Sequence, residues 1–338
     1  MTIGSLRIKT TAAAMAVVLV VGVGHAEGLR GNYGFLSSAV LGEQSEADAR
    51  ARVDVMAQRF GIREFQFYDW FADYSTPVRG EKWTDPYFRK TPISRHTIEI
   101  YIDEIHKQGG RAWAYVQAVG AEETDLEDQA HDIWKLKDGA GNWHWHPPGV
   151  EHPRFPCYFA NGAWARHQVA KWAGPIRDMG FDGIHWDTLG RIAPEYGAET
   201  GGIHAFLREA KRLIEPMGLR QTMNFVDLSW WDRKVVEECV EFPYVEAWSH
   251  ETANKYFAEM DGDAVLAARR GVFAMYPYVD VPAGWTESEV LRDRWVRAKE
   301  HHLSYLLVGD GARRMKAEWW PETVGLTEAE AAFLEGHR

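Results

Sequence analysis

Short apolar runs alternate with amphipathic stretches along nearly the whole chain. Tyr33–Leu36 is the first β-like run, and Glu46–Phe60 follows with Val53, Met56 and Ala57 on one helical face. Glu64–Tyr68 reads as the second strand. Ser94–Gln108 reads as a helix: Ser94 caps it, Ile98, Ile102 and Ile105 line one side, and Gly109-Gly110 stops it. The pattern continues with strand Arg111–Val116, helix Ala163–Met179, strand Gly183–Asp187, helix Gly202–Met217, strand Gln221–Phe225 and helix Asp232–Cys239. It ends with strand Tyr244–Trp248, helix Asp263–Arg270, strand Val272–Tyr276, helix Glu287–Lys299 and strand Ser304–Val308. Eight strands with a helical pattern between neighbours predict a parallel sheet closed into a (β/α)8 (TIM) barrel, an α/β fold.

The first residues stand outside that alternation. Arg7 and Lys9 precede an apolar run, Thr11–Val23, and Gly24-His25-Ala26 offers small residues where a signal peptidase cuts. The run is too short to cross a bilayer comfortably, and no stop-transfer pattern follows. Residues 1–26 are therefore expected to be a cleaved secretory signal rather than a buried helix, and 27–338 the barrel. The mature protein is expected to be secreted or periplasmic and to have no membrane partner.

Charge and composition narrow the function. The formal net charge is −11, and loss of Arg7 and Lys9 makes it −13. Nucleic acid and anionic membrane surfaces both need a basic face, so the charge disfavours them, whereas a neutral substrate is compatible. The 16 Trp, beside 13 Tyr and 15 Phe, include many in polar stretches containing Gly and Pro. There they suit the C–H faces of sugar rings along a cleft. Two cysteines, Cys157 and Cys239, allow one disulfide or two buried thiols. His144, His146 and His152 lie close together in a loop, without the Cys or carboxylate pattern of a metal site, so neither metal nor cofactor is expected. No Gly-x-Gly-x-x-Gly turn follows the first strand, and no Gly-x-Ser-x-Gly elbow occurs. The long irregular stretches Asp69–Thr91 and Gln117–Gly162 follow the C-termini of strands two and three, the face where barrel active sites sit.

Acidic residues recur at those ends: Asp69, Asp187, Asp227 beside Asn224, Glu246, Asp280 and Asp310. Carboxylates converging on one rim suit glycoside hydrolysis, in which one attacks the anomeric carbon and another protonates the leaving oxygen. A lone Asp at a strand end is more often a cap, which is the reading for Asp73, Asp85 and Asp232, while Asp182 shapes the turn into strand four. Asp187 differs, with His185-Trp186 before it and Gly190 after. Glu246 sits between Tyr244 and Trp248, costly unless it has a task or a partner. His185, opposite Trp186 on its strand, lines the cleft or packs behind it.

These segments resemble glycoside hydrolase family 66, the family of endo-dextranases and cycloisomaltooligosaccharide glucanotransferases. In order, the resemblance is carried by Asn32-Tyr-Gly-Phe-Leu-Ser37, Gln66-Phe-Tyr-Asp-Trp70 and Gly180-Phe-Asp-Gly183 with Asp187-Thr-Leu-Gly190. It continues through Asn224-Phe-Val-Asp227, Tyr244-Val-Glu-Ala-Trp248, Gly309-Asp-Gly311 and Trp319-Trp-Pro321. The resemblance implies a retaining enzyme on α-1,6-linked glucan, with Asp187 as nucleophile and Glu246 as acid/base. Substrate contacts are assigned to Tyr68, Asp69, Trp70, Tyr115, His185, Asn224, Asp227, Trp248 and Asp310. The partner is then a polysaccharide or oligosaccharide. The chain departs from the family in showing no flanking accessory β-domains, and in placing Phe71-Ala-Asp-Tyr74 where members carry a basic or His side chain. It also lacks the insertion of the cyclising enzymes, which favours hydrolysis. A transglycosylase, a hydrolase of another polysaccharide and a catalytically silent carbohydrate-binding barrel are the alternatives.

Overall fold

The computed structural model describes residues 29–86, 91–118, 120–121, 145–146, 155–156, 162–187, 200–225, 233–247, 249–260, 272–275, 281–301, 303–306, 308–315 and 323–338. The strands are β1 (Asn32–Leu36), β2 (Ile62–Phe67), β3 (Lys82–Thr84), β4 (Pro92–Ser94), β5 (Arg111–Gln117), β6 (Trp145–His146), β7 (Phe155–Pro156), β8 (Gly183–Asp187), β9 (Arg220–Asn224), β10 (Pro243–Ala247), β11 (Val272–Met275), β12 (Ser304–Leu306), β13 (Val308–Gly309), β14 (Arg313–Met315) and β15 (Thr323–Gly325). The helices are α1 (Glu46–Phe60), α2 (Arg95–Lys107), α3 (Gly162–Asp178), α4 (Thr200–Ile214), α5 (Arg233–Cys239), α6 (His250–Met260), α7 (Glu287–Glu300) and α8 (Glu328–Gly336).

The main sheet runs β12-β11-β10-β9-β8-β5-β2-β1-β13-β14-β15, parallel from β12 through β13 and antiparallel in its last two pairings. Its nine parallel strands cover the eight read from the alternation, with boundaries moved by one or two residues and the last, expected over Ser304–Val308, divided between β12 and β13. The sheet curls strongly. Five strand steps separate β1 from β10, about 24 Å in a flat sheet. Yet the Tyr33 ring lies 5.7 Å from Phe242 and 6.0 Å from Tyr244. The inner face therefore meets itself across the molecule. Two glycines permit the close packing there. A Cβ at Gly183 would meet the Trp113 ring and the Arg220 carbonyl, each at 2.5 Å, and one at Gly309 would collide with the Phe35 ring.

The helices begin and end where local chemistry directs. Ser45 caps α1 by accepting from the Asp48 N–H, and Gly61 ends it at φ 65°, while Ala49, Val53, Met56, Ala57 and Phe60 are buried. Ser94 caps α2 in the same way, and Gly109 follows its end at φ 72°. Two α-helices were not anticipated. One is α6, in the connection where Asp263–Arg270 was expected; those residues lie outside the described ones. Ser249 starts α6 by accepting from the Thr252 N–H at 3.0 Å. The other is α8, opened by a reciprocal Thr327/Glu330 capping box.

The aromatic stretch after β2 corrects an expectation. Trp70, Phe71, Tyr74 and Trp83 are buried rather than lining an open cleft. Trp70 and Phe71 pack on Trp172, at 6.3 and 5.0 Å between ring centroids, and Trp70 also packs on Phe181 at 5.0 Å. The short β3–β4 hairpin holds this plug, as the Trp83 indole donates to the Trp70 carbonyl at 2.9 Å. At the other end of the inner face, near the strand starts, Glu64 and Arg111 form a fully buried pair, with Nη2 2.6 Å from Oε1. The Trp113 indole donates to the same carboxylate at 2.7 Å. Asp73, Asp85 and Asp182 bind backbone N–H groups: Asp73 takes those of Ser75 and Thr76, Asp85 that of Thr91, and Asp182 that of Ala112. Cys239 is buried; Cys157, Asp232, Asp280 and the side chains of His144, His146 and His152 lie outside the described residues.

Candidate active site

Asp187 is the last residue of β8. Its Oδ2 accepts from the Tyr115 hydroxyl at 2.7 Å and its Oδ1 from the Asn224 amide at 2.6 Å. The donors come from β5 on one side and β9 on the other, so each carboxylate oxygen is fixed by a neighbouring strand. Strand register then places Glu246. Trp186 pairs with Met223, and Asn224 with Tyr244, which puts Asp187, Asn224 and Tyr244 at one level. Glu246 lies two residues further along β10, so it shares the face of Tyr244. The Tyr244 ring touches Tyr33 and His185 on the inner face, and Glu246 therefore stands on that face too, at the C-terminal rim, with one strand between it and Asp187.

Below Asp187 the inner face is a bed of rings. His185 lies near parallel to Tyr115 (20°, 6.2 Å) and edge-on to Tyr244 at 4.8 Å; Tyr68 packs on Tyr115 at 4.9 Å, and its hydroxyl is 3.4 Å from that of Tyr244. Burial pushes the His185 imidazole down to about 4, against the pull of Asp187. It is therefore neutral at neutral pH. Burial, aided by Asp187 among others, also raises Tyr33 well above the phenol range.

Only two non-glycine residues among those described have positive φ, and both are acidic strand-end residues: Asp69 at 50° and Asp310 at 48°. Such conformations cost about 1–3 kcal/mol and concentrate at functional sites. Asp69 is buried. Burial first, then Asp85 and Asp187, hold its carboxyl well above the usual range. Asp310 does something else. Its Oδ1 accepts from the Ser37 N–H at 2.8 Å and its Oδ2 from the Ser37 hydroxyl at 2.7 Å, while Arg52 donates to its carbonyl at 2.6 Å. Both oxygens are spent clasping the end of β1. Trp70 likewise sits apart from the rim: fully buried, it donates its indole N–H to the Tyr115 carbonyl at 3.0 Å. Tyr68, Asp69, Tyr115, His185, Asn224, Asp187 and Glu246 gather at or below the rim, and Asp227 and Trp248 lie outside the described residues. Tyr33, which the sequence reading did not single out, joins this bed and donates to Gln66 at 2.6 Å.

The Asp310 clasp predicts a pH effect. Burial raises its carboxyl from 3.8 to about 6. The fold binds this proton more tightly than the unfolded chain, so the contribution to stability is fully present below about pH 4 and lost as pH rises through about 6. In Asp310→Asn no such proton is released. The stability of the variant relative to wild type should therefore improve by about 2–3 kcal/mol between pH 4 and pH 7. Chemical denaturation across that range reads the difference; parallel stability curves would contradict it.

Among the described residues, no group of three or more His, Cys, Asp or Glu is placed to hold a metal ion, and no helix is long and apolar enough to cross a membrane.

Two cycloisomaltooligosaccharide glucanotransferases of Niallia circulans are 26% and 28% identical over 247 and 264 residues, 64% and 71% of this chain. The chain spans about a quarter of the length of these relatives, 24% and 27%. The crystal structure of a Paenibacillus sp. cycloisomaltooligosaccharide glucanotransferase complexed with cycloisomaltoheptaose superposes with a TM-score of 0.62 at 26% identity, covering 74% of this chain and 39% of that one. A GH36 α-galactosidase of Geobacillus stearothermophilus shares the fold, with a TM-score of 0.54 at 13% identity over 92% of this chain and 42% of that one. The model of glycosyl hydrolase family 66 matches residues 31–323, nearly the whole of the described structure, and the chain belongs to that family.

Proposed function

We propose that the protein is a retaining glycosidase that cleaves internal α-1,6-glucosidic bonds of dextran-like glucan through a covalent glycosyl-enzyme. The observation that carries this reading is the pair of rim carboxylates: Asp187, held at both oxygens by Tyr115 and Asn224, and Glu246 on the same face two strands away. Asp187 attacks the anomeric carbon as Glu246 gives its proton to the leaving oxygen. Glu246, now a carboxylate, then takes a proton from water, which attacks the anomeric carbon and releases Asp187. This route calls for carboxyl groups about 5–5.5 Å apart. The two hydrogen bonds to Asp187 orient it.

The architecture in this reading is a closed (β/α)8 barrel. β12 and β13 are separated by residue 307 alone; β12 pairs with β11 and β13 with β1, and the Tyr33 N–H donates to the Ser304 hydroxyl at 2.7 Å. These pairings support one eighth strand joining both edges. Export with removal of residues 1–26 belongs to the same proposal, and N-terminal sequencing of the exported protein tests it.

The names of the relatives favour a second reading, a glucanotransferase in which a sugar hydroxyl instead of water resolves the intermediate. Incubation with a panel of α- and β-glucans separates the readings. Hydrolysis of dextran yields new reducing ends and linear products. Transfer yields cyclic or elongated products, told apart by mass. Activity confined to another polymer would keep the mechanism and overturn the substrate.

A further inference from the structure

Trp285 is 41% exposed, the one large hydrophobic side chain left exposed among the described residues. Its position is fixed by the chain on both sides. Its N–H closes a turn onto the Pro282 carbonyl at 2.9 Å, with Gly284 at φ 85°. Thr286, the next residue, forms a reciprocal capping box with Glu289 and starts α7. The backbone that carries the indole is held between a tight turn and a capped helix start, so little of that backbone's freedom is left to lose on binding.

Topology places the start of α7, and with it the turn that carries Trp285, on the side of the sheet where the parallel strands end. Ala274 of β11 pairs with Glu246, and Met275 with Ala247, so the connection that carries Trp285 leaves the sheet at the level of the acid/base. The first turn of α7 is tied to the segments that follow β13. The Glu287 carboxylate accepts from Arg314 at 2.7 Å, and the Ser288 hydroxyl donates to Glu330 at 2.7 Å. Trp285 thus stands on the outer rim, on the connection between β11 and α7 and beside the one that follows Asp310.

We infer that Trp285 is a sugar-stacking platform that binds an outer glucose unit of a long α-glucan chain, several units from the bond being cleaved. The inference rests on the proposed glucan substrate and adds a residue to its recognition. An indole face offers a broad apolar surface to the C–H face of a neutral sugar. Stacking of this kind acts equally on ground and transition states, so its loss raises KM rather than lowering kcat.

Steady-state kinetics on a ladder of isomaltooligosaccharides up to dextran tests this. With Trp285→Ala, KM for dextran should rise by about five- to tenfold, the rise should shrink as the substrate shortens, and kcat should change far less than KM. Trp285→Phe, which keeps a flat ring, should recover part of the loss, and thermal melting of both variants controls for folding. Turnover by wild type with an unchanged KM in Trp285→Ala at every length would overturn this inference alone. A uniform loss at all lengths would also overturn it. Absence of wild-type turnover on any α-glucan would instead overturn the proposed substrate, and this inference with it.

Discussion

Asp187→Asn should lower kcat on dextran by on the order of 10⁴-fold or more while leaving the fold intact. The amide matches the carboxylate in shape, and the Tyr115 hydroxyl can turn to meet an amide N–H, so the hydrogen-bonded frame survives. Nucleophilicity at the anomeric carbon does not survive. Glu246→Gln should be comparably slow on dextran, but for a separable reason. A natural leaving oxygen needs a proton and fluoride does not, so a glucosyl fluoride should still react with Asp187 in the Glu246→Gln variant. Asp187→Asn should fail on both substrates. Stopped-assay kinetics on dextran and on the fluoride, run side by side, distinguish the two roles. Near-native activity of either variant on dextran would remove its residue from the mechanism.

The second large effect lies at the opposite end of the inner face. Glu64 accepts three hydrogen bonds from Arg111 and one from the Trp113 indole in a buried setting, and a fourth donor, the Arg30 N–H, reaches it from a partly buried position. The Arg111 guanidinium also lies 5.2 Å over the Trp113 ring and 3.5 Å from Glu241. Glu64→Leu strands a buried cation and two donors, which is expected to cost about 3–5 kcal/mol. Against a typical total of about 5–15 kcal/mol, that is a large fraction of the stability. Pairing it with Arg111→Met removes the stranded charge and should recover most of the loss. Urea denaturation of the two single variants and the double variant gives the coupling. A loss below about 1 kcal/mol in Glu64→Leu would contradict the assigned role.

The elements that could be read in the sequence share a physical cause. The buried strands are short segments rich in apolar and aromatic residues, although polar ones interrupt β2, β5 and β9, and α1 and α2 carry caps, stops and an apolar stripe together. The start of α1 at Glu46 and its end at Phe60 are matched by the structure for that reason. α6 was missed because its start is polar and only Ala253, Tyr256 and Phe257 of its described side chains are buried, too narrow a stripe to stand out. α8 had a legible signal, Thr327-x-x-Glu330, that strand counting passed over.

The site divides in the same way. Strand position brings Asp187, Asn224 and Glu246 to the rim, and the sequence carries that directly. Which aromatics face substrate and which face each other depends on a helix distant in sequence. Trp172 and Phe181 bury Trp70, and no local pattern around Trp70 reports this. Asp310 looked like a rim carboxylate with a substrate to bind. Ser37, 273 residues away in sequence, occupies both of its oxygens. Trp285 went unremarked because one aromatic in a turn carries no periodicity, although Pro282-Ala-Gly-Trp285 between a strand and a capped helix marks a rigid rim loop.

The central claim is a covalent glycosyl-enzyme on Asp187. A fluorinated glucosyl fluoride forms such an intermediate and resolves it slowly, so peptide mass spectrometry of the inactivated protein tests the claim directly. The account predicts one added glycosyl unit, on the peptide that contains Asp187, and no label in Asp187→Asn. A label on another residue, or turnover that inverts the anomeric configuration with no adduct formed, would contradict it.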